Sequence, residues 1–213
     1  MIKKGDFVQL DYVGRIKKTG EIFDLTEEEL AKKEKLYSPK TKYGPITICV
    51  GEHQMVSGVD ESLINKKAGD EYELEVPAEK AFGQRSAKLI QLVSASKFKD
   101  QKMPPFPGAQ FVIDGMPAVV RSVSGGRVIL DFNHPFSGKD LQYKVKIIKE
   151  VTDIKEQAEA VLSKVMPASA YSLEVKEKEL TIKLKDKERM KPLHELIKTS
   201  LQRLIKDVKV QIE

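Results

Sequence analysis

Midway along the chain the sequence reads Met103-Pro104-Pro105-Phe106-Pro107-Gly108, and neither a helix nor a central strand runs through such a stretch. Each proline lacks the amide hydrogen that a ladder or helical turn needs, and its ring fixes φ. The 213-residue chain therefore breaks into more than one unit, in keeping with a length beyond that of the usual single domain. On the N-terminal side, Phe7, Val8, Leu10, Tyr12 and Val13 give an imperfect period of two within Asp6–Ile16. That segment is read as a strand turning at Lys18-Thr19-Gly20 and returning through Glu21 to Asp24. Thr26-Glu27-Glu28-Glu29 has the composition of a capped helix start, and the polar stretch to Lys35 supports only a short surface helix. Ile46–Val50 is a second apolar strand. Val59, Leu63 and Ile64 recur at helical spacing before Lys66-Lys67-Ala68-Gly69, and Glu71–Val76 alternates again.

After Phe82-Gly83 the pattern changes. Ser86–Lys102 is mixed, and three short strand candidates follow at Gln110–Ile113, Ala118–Ser122 and Arg127–Phe132, punctuated by the hairpin signals Asp114-Gly115 and Gly125-Gly126. Leu141–Ile148 then returns to a long strand with Leu141, Tyr143, Val145 and Ile147 on one face, as the first sheet needs for completion. The expected organisation is a discontinuous domain, 1–84 and 131–151, around a β-rich insert at 85–130. From 152 to 213 the order is α-β-β-α-β. Ile154, Ala158, Val161, Leu162 and Val165 mark a helix stopped at Pro167; Leu173 and Val175, then Leu180, Ile182 and Leu184, make a hairpin. Pro192 opens a helix with Leu193, Leu196, Ile197, Leu201 and Leu204 on one face, and Val208, Val210 and Ile212 end the chain as a strand. The fold class is α+β.

Composition narrows the function. The net charge of +5 comes from Lys and Glu interleaved throughout, with no basic run beside aromatics, so solvated faces explain it and no nucleic-acid partner is expected. No run approaches the roughly 20 apolar residues of a membrane span. Met1–Asp6 passes from charged residues straight into the strand pattern, so no secretory signal is expected and a cytoplasmic location is. The single Cys49 lies in an apolar run and reads as a small core residue. His53, His134 and His194 are too far apart in sequence for metal-ligand spacing, so neither metal nor cofactor is expected.

Five motifs then occur in one order: Tyr12-Val13-Gly14, Gly20-Glu21-Ile22-Phe23-Asp24, Met55-Val56-Ser57-Gly58-Val59-Asp60, Ala81-Phe82-Gly83 and Leu141-Gln142-Tyr143-Lys144-Val145. In this the chain resembles the FKBP family of peptidyl-prolyl cis-trans isomerases, above all its SlyD-like and archaeal members with an insert in the flap. The insert follows Ala81-Phe82-Gly83 and closes with Asn133-His134-Pro135-Phe136-Ser137-Gly138, similar to the return segment of SlyD-like proteins. The resemblance implies an antiparallel sheet wrapped on a short helix. Two departures stand out: Val59 where many members have Trp, and Phe82 where Tyr is frequent. No His-rich tail is present, so the nickel binding of some SlyD-like proteins does not carry over.

Rotation about an X–Pro bond makes and breaks no bond, so it needs neither nucleophile nor general base, only a site favouring the twisted amide. The resemblance implies such a site in Tyr12, Phe23, Asp24, Met55, Val56, Val59, Phe82 and Tyr143, with Asp24 its one charge. Taken singly, each aromatic reads more readily as an ordinary core residue of a half-buried sheet; only their joint match to the family pattern favours the site. In the insert, Met103, Phe106, Phe111, Val112, Ile113 and Met116 lie near turns and prolines, where flexible apolar side chains make a promiscuous peptide-binding surface. The implied function is an isomerase that accelerates proline-limited folding and holds unfolded polypeptides through its insert. The competing reading is a holdase chaperone with little isomerase activity. The C-terminal segment is a dimerisation or substrate-binding module, weighed against a plain stabilising domain.

Overall fold

The computed structural model describes residues 1–98 and 104–213, apart from the side chains of Lys187 and Arg189. Along the chain run β1 (Phe7–Ile16), β2 (Ile22–Leu25), α1 (Glu28–Lys33), β3 (Ile46–Cys49), α2 (Ser57–Ser62), β4 (Glu71–Val76), β5 (Ile90–Ser94), β6 (Gln110–Ile113), β7 (Met116–Ser124), β8 (Arg127–Asp131), β9 (Leu141–Val151), α3 (Ile154–Leu162), β10 (Tyr171–Lys176), β11 (Glu179–Leu184), α4 (Lys187–Met190), α5 (His194–Leu204) and β12 (Lys209–Ile212). The α+β class is as the sequence pattern requires. Two compact units form, Met1–Val76 with Leu141–Glu213, and Pro77–Asp140. By contact, Phe82-Gly83 and the return segment group with the insert, and the C-terminal elements with the first sheet.

β1 is the spine of the first unit. One edge pairs with β9 throughout; the other is shared by β3, at Phe7–Leu10, and β2, at Val13–Arg15, all antiparallel. β4 closes the far side of β9. On β9 the alternation is complete: Leu141, Tyr143, Val145 and Ile147 are buried and Lys144 and Lys146 exposed. α2 lies under that face, with Val59 and, just past its end, Leu63 fully buried. Gly58 makes the approach possible, because a Cβ there would stand 2.6 Å from Val76 Cγ1.

The C-terminal strands form a three-stranded sheet, β10-β11-β12, with β12 parallel to β11 because the chain crosses over through α5 between them. Their core of Ala158, Leu162, Leu180, Ile182, Ile197 and Leu201 is continuous with Phe7, Cys49 and Val151 of the first sheet. Leu196, expected on the buried face of α5, is instead 57% exposed. It lies about 100° round the helix from Ile197, off a stripe that the small sheet fills with Ile197, Leu201 and Leu204. Pro192 opens a single 3₁₀ turn, Lys191–Leu193, and α5 begins after it. Thr26 does not cap α1. Its Oγ1 donates to Asp11 Oδ1 (2.7 Å) and accepts the Tyr12 N–H (3.0 Å), a cross-strand arrangement that leaves α1 with no side-chain cap.

In the second unit β5-β8-β7-β6 make an antiparallel sheet. β5 falls in the stretch read as mixed, because its apolar residues occupy both faces and give no alternation. A core of Phe98, Phe111, Ile113, Val120, Val128 and Leu130 backs one face.

Candidate functional site

Four of the expected site residues meet on the first sheet. The β1–β2 register sets Gly14 opposite Asp24, and the β1–β9 register sets Gly14 opposite Tyr143. Glycine is required there: a Cβ would lie 2.8 Å from Phe23 Cζ and 3.1 Å from Tyr143 Cε1. Over that bare backbone the Phe23 ring meets Tyr143 edge-on at 5.9 Å, and Tyr12 stands 6.0 Å from Tyr143. The Tyr12 hydroxyl donates to Asp24 Oδ2 at 2.7 Å. Burial drives the Tyr12 phenol pKa far up, and the hydrogen bond to Asp24 and the negative charge of that carboxylate add to it. Tyr143 is raised for the same first reason, with Asp24 second. Both rings therefore stay neutral, and Asp24, exposed, presents an oriented carboxylate at the edge of an apolar aromatic patch.

Met55 and Val56 lead into α2 and are half-buried, while Val59, on α2, is wholly buried. What holds this segment escaped the sequence reading. Asp60, the last residue of the Met55–Asp60 motif, is 3% exposed. Its Oδ1 accepts the Gly51 N–H (2.9 Å) and its Oδ2 the His53 N–H (3.2 Å). Gly51 and His53 both take positive φ, 86° and 52°, so the loop is folded tightly and depends on that carboxylate. Glu52, between them, is paired with Arg203 of α5 at 2.6 Å. Nothing in the sequence links positions 52 and 203.

Phe82 belongs to the other compact unit. Its ring stacks on His134 (4.3 Å, 10° between planes) and lies 5.5 Å from Phe136. Ser137 Oγ donates to the Phe82 carbonyl (3.0 Å), the Gly138 N–H to that of Gly83 (2.8 Å), and the Phe136 N–H to His134 Nδ1 (3.3 Å). His134 and Phe136 are thus aromatic partners that the sequence reading placed only in a return motif. The two crossings between Phe82 and the insert are tied as well. Asn133 accepts the Ser86 N–H (2.8 Å) and donates to the Ser86 carbonyl (3.1 Å), and the buried Asp131 carboxylate takes Asn133, Arg85 and Arg121.

Of the six insert residues proposed for peptide capture, Phe111 and Ile113 are buried in the insert's own core, where Phe111 meets Phe98 edge-on at 5.0 Å. Phe106, Val112 and Met116 are exposed. Met103 lies outside the described residues. The split follows from strand alternation: on β6, odd-numbered residues turn inward and Val112 outward.

Residues 91–136 match the family model described as the FKBP26 IF domain. A short-type peptidyl-prolyl cis-trans isomerase of Methanocaldococcus jannaschii is 36% identical over 147 residues, 69% of this chain and 92% of that protein. A probable FKBP-type 16 kDa peptidyl-prolyl cis-trans isomerase of Pseudomonas fluorescens is 34% identical over 49% of this chain and 71% of its own length. The SlyD isomerase of Treponema pallidum is 29% identical over 52% of this chain and 65% of its own. An archaeal relative matched over nine-tenths of its length, and an insert matched by its own family model, leave one assignment: the chain belongs to the FKBP-type peptidyl-prolyl cis-trans isomerases.

Proposed function

We propose that this chain catalyses cis–trans isomerisation of X–Pro bonds in unfolded polypeptides, in the cytoplasm, and that its insert captures those polypeptides as a chaperone. The observation that carries the catalytic reading is the Tyr12–Asp24 hydrogen bond over the Gly14 gap, which gives a neutral aromatic wall with one fixed carboxylate at its edge. The planar X–Pro amide is held by a barrier of ~18–20 kcal/mol that arises from C–N double-bond character. That conjugation separates charge, which water solvates, so an apolar surface favours the twisted amide in which conjugation is lost. Tyr12, Phe23, Met55 and Val56 supply that surface, the buried Val59 and Tyr143 back it, and Asp24 supplies the electrostatic edge. Phe82, in the Ala81-Phe82-Gly83 motif, carries no hydroxyl. No acid or base is consumed.

Capture by the insert is supported by the exposure of Phe106, Val112 and Met116 beside the prolines. Client segments held there are presented to the isomerase at raised local concentration. Because Ser86 and Asn133 bond directly, a short glycine linker can replace 87–132. That variant is expected to retain turnover of a proline-containing tetrapeptide and to lose most of its acceleration of a proline-limited refolding reaction. Undiminished refolding catalysis overturns the chaperone role; a tetrapeptide rate near the uncatalysed one, in the intact chain, overturns the isomerase.

A further inference from the structure

The two faces of the insert's sheet have different fates. One carries Phe111, Ile113, Ala118, Val120, Val128 and Leu130, all buried in the core. The other is apolar too, yet open: Leu92 is 59% exposed, Val112 65% and Ile90 40%. The register sets Leu92 opposite Ile129, and Asp131 opposite both Ile90 and Val119, while Val112 faces Pro117. Directly opposed residues of an antiparallel pair share a face, so these side chains make one surface across all four strands.

Cations border that surface. Arg127 alternates with Ile129 onto the same face, in a row between Ser94 and Ser124, and has no acidic partner among the described residues. Asp131, the one carboxylate of the face among the described residues, is 5% exposed and is shared by two guanidiniums, Arg85 and Arg121. That trio keeps one positive charge. Lys88 stands in the 3₁₀ turn just before β5. Residues 77–140 hold nine Lys and Arg against five Asp and Glu, which is four of the chain's net +5.

We propose that this face selects its clients by charge, taking extended apolar segments that carry acidic residues and disfavouring basic ones. The inference rests on the capture reading above and names the class of client. Apolar area gives adhesion without choice, whereas a positive border raises the encounter rate for acidic segments and repels basic ones.

The test uses the full chain and three labelled, proline-free peptides with one apolar core, flanked by Glu, by Ser or by Lys. At low salt the Glu peptide is expected to bind roughly fivefold tighter than the Ser peptide, and the Lys peptide correspondingly weaker. The spread collapses at about 1 M salt, where the Debye length is ~3 Å. Arg127→Glu combined with Lys88→Glu, with folding checked by circular dichroism, is expected to erase or reverse the order. Equal affinities for the three peptides, or a preference for the Lys peptide, overturn charge selection while leaving capture standing. Failure of all three to bind overturns the capture reading beneath it.

Discussion

Tyr12 does two things through one hydroxyl: its ring walls the aromatic patch and its proton fixes Asp24. Tyr12→Phe separates them. The hydrogen bond is exposed, so its loss is expected to shift the melting temperature by a few degrees at most, while kcat/KM on a prolyl tetrapeptide falls by about tenfold or more as Asp24 loses its orientation. An unchanged kcat/KM removes Asp24 from the proposed chemistry. The wild-type rate should also carry no tyrosine ionisation, since burial first, and Asp24 after it, raise both phenols. A phenol raised in the folded state adds stability that is complete below the unfolded value of about 10 and is lost as pH rises through the folded one. A pH–rate profile that breaks near pH ~9 contradicts this assignment.

At the scale of elements, the segment from β3 to α2 is held from three sides. Asp60 caps the Gly51–His53 loop, Gln54 Oε1 accepts the Cys49 N–H (3.2 Å), and Arg203 reaches Glu52 from α5. Met55 and Val56 leave this loop, so its order is passed to them. Asp60→Ala strands two half-buried amides and is expected to cost about 2–4 kcal/mol, read by thermal or denaturant unfolding. The Arg203–Glu52 pair is more exposed, and its contribution is at most about 1 kcal/mol. Its effect on catalysis is measured by exchange. Arg203→Glu and Glu52→Arg should each raise KM for a prolyl peptide about twofold, and the double exchange should restore it. Additive losses in the double variant dismiss the coupling between α5 and the loop.

For the whole molecule, the C-terminal elements complete a core shared with the first sheet, since Phe7, Cys49 and Val151 pack among Ala158, Leu162 and Leu201. This favours a stabilising role for 152–213 over a module hung on a linker. Cys49 reports on it. Burial first, then the charges of Glu52 and Asp60 against that of Arg203, push its thiol up to about 11. The raised thiol supports folding fully below its unfolded value of about 8.5, and that support is lost as pH climbs to the folded one. In the intact chain at about pH 8, a thiol reagent is expected to react at least ~100-fold more slowly than with free cysteine. Ending the chain after Val151 should lower the melting temperature and release that protection together. A truncated chain as stable and as slow to label as the full one shows the shared core to be dispensable.

Local chemistry settled a good part of this protein in advance. Alternation on Leu141–Ile147 gave β9 its buried face, Glu71–Val76 its strand limits, and Asp114-Gly115 and Gly125-Gly126 their hairpins, because period and turn residues act over a few positions. The motif residues Tyr12, Asp24 and Tyr143 were legible as a set, and Cys49 as a core residue. What remained depended on partners distant in the chain. Thr26 has cap chemistry but lies beside Asp11, β5 exists through its pairing with β8, and Leu196 faces solvent because a narrow sheet needs only one stripe of α5. Phe111 and Ile113 were separated from Val112 by which face met Phe98 and Val128. Asp60 holding Gly51 and His53, and Arg203 meeting Glu52, arise only when separate segments fold side by side, which periodicity along a single segment does not encode.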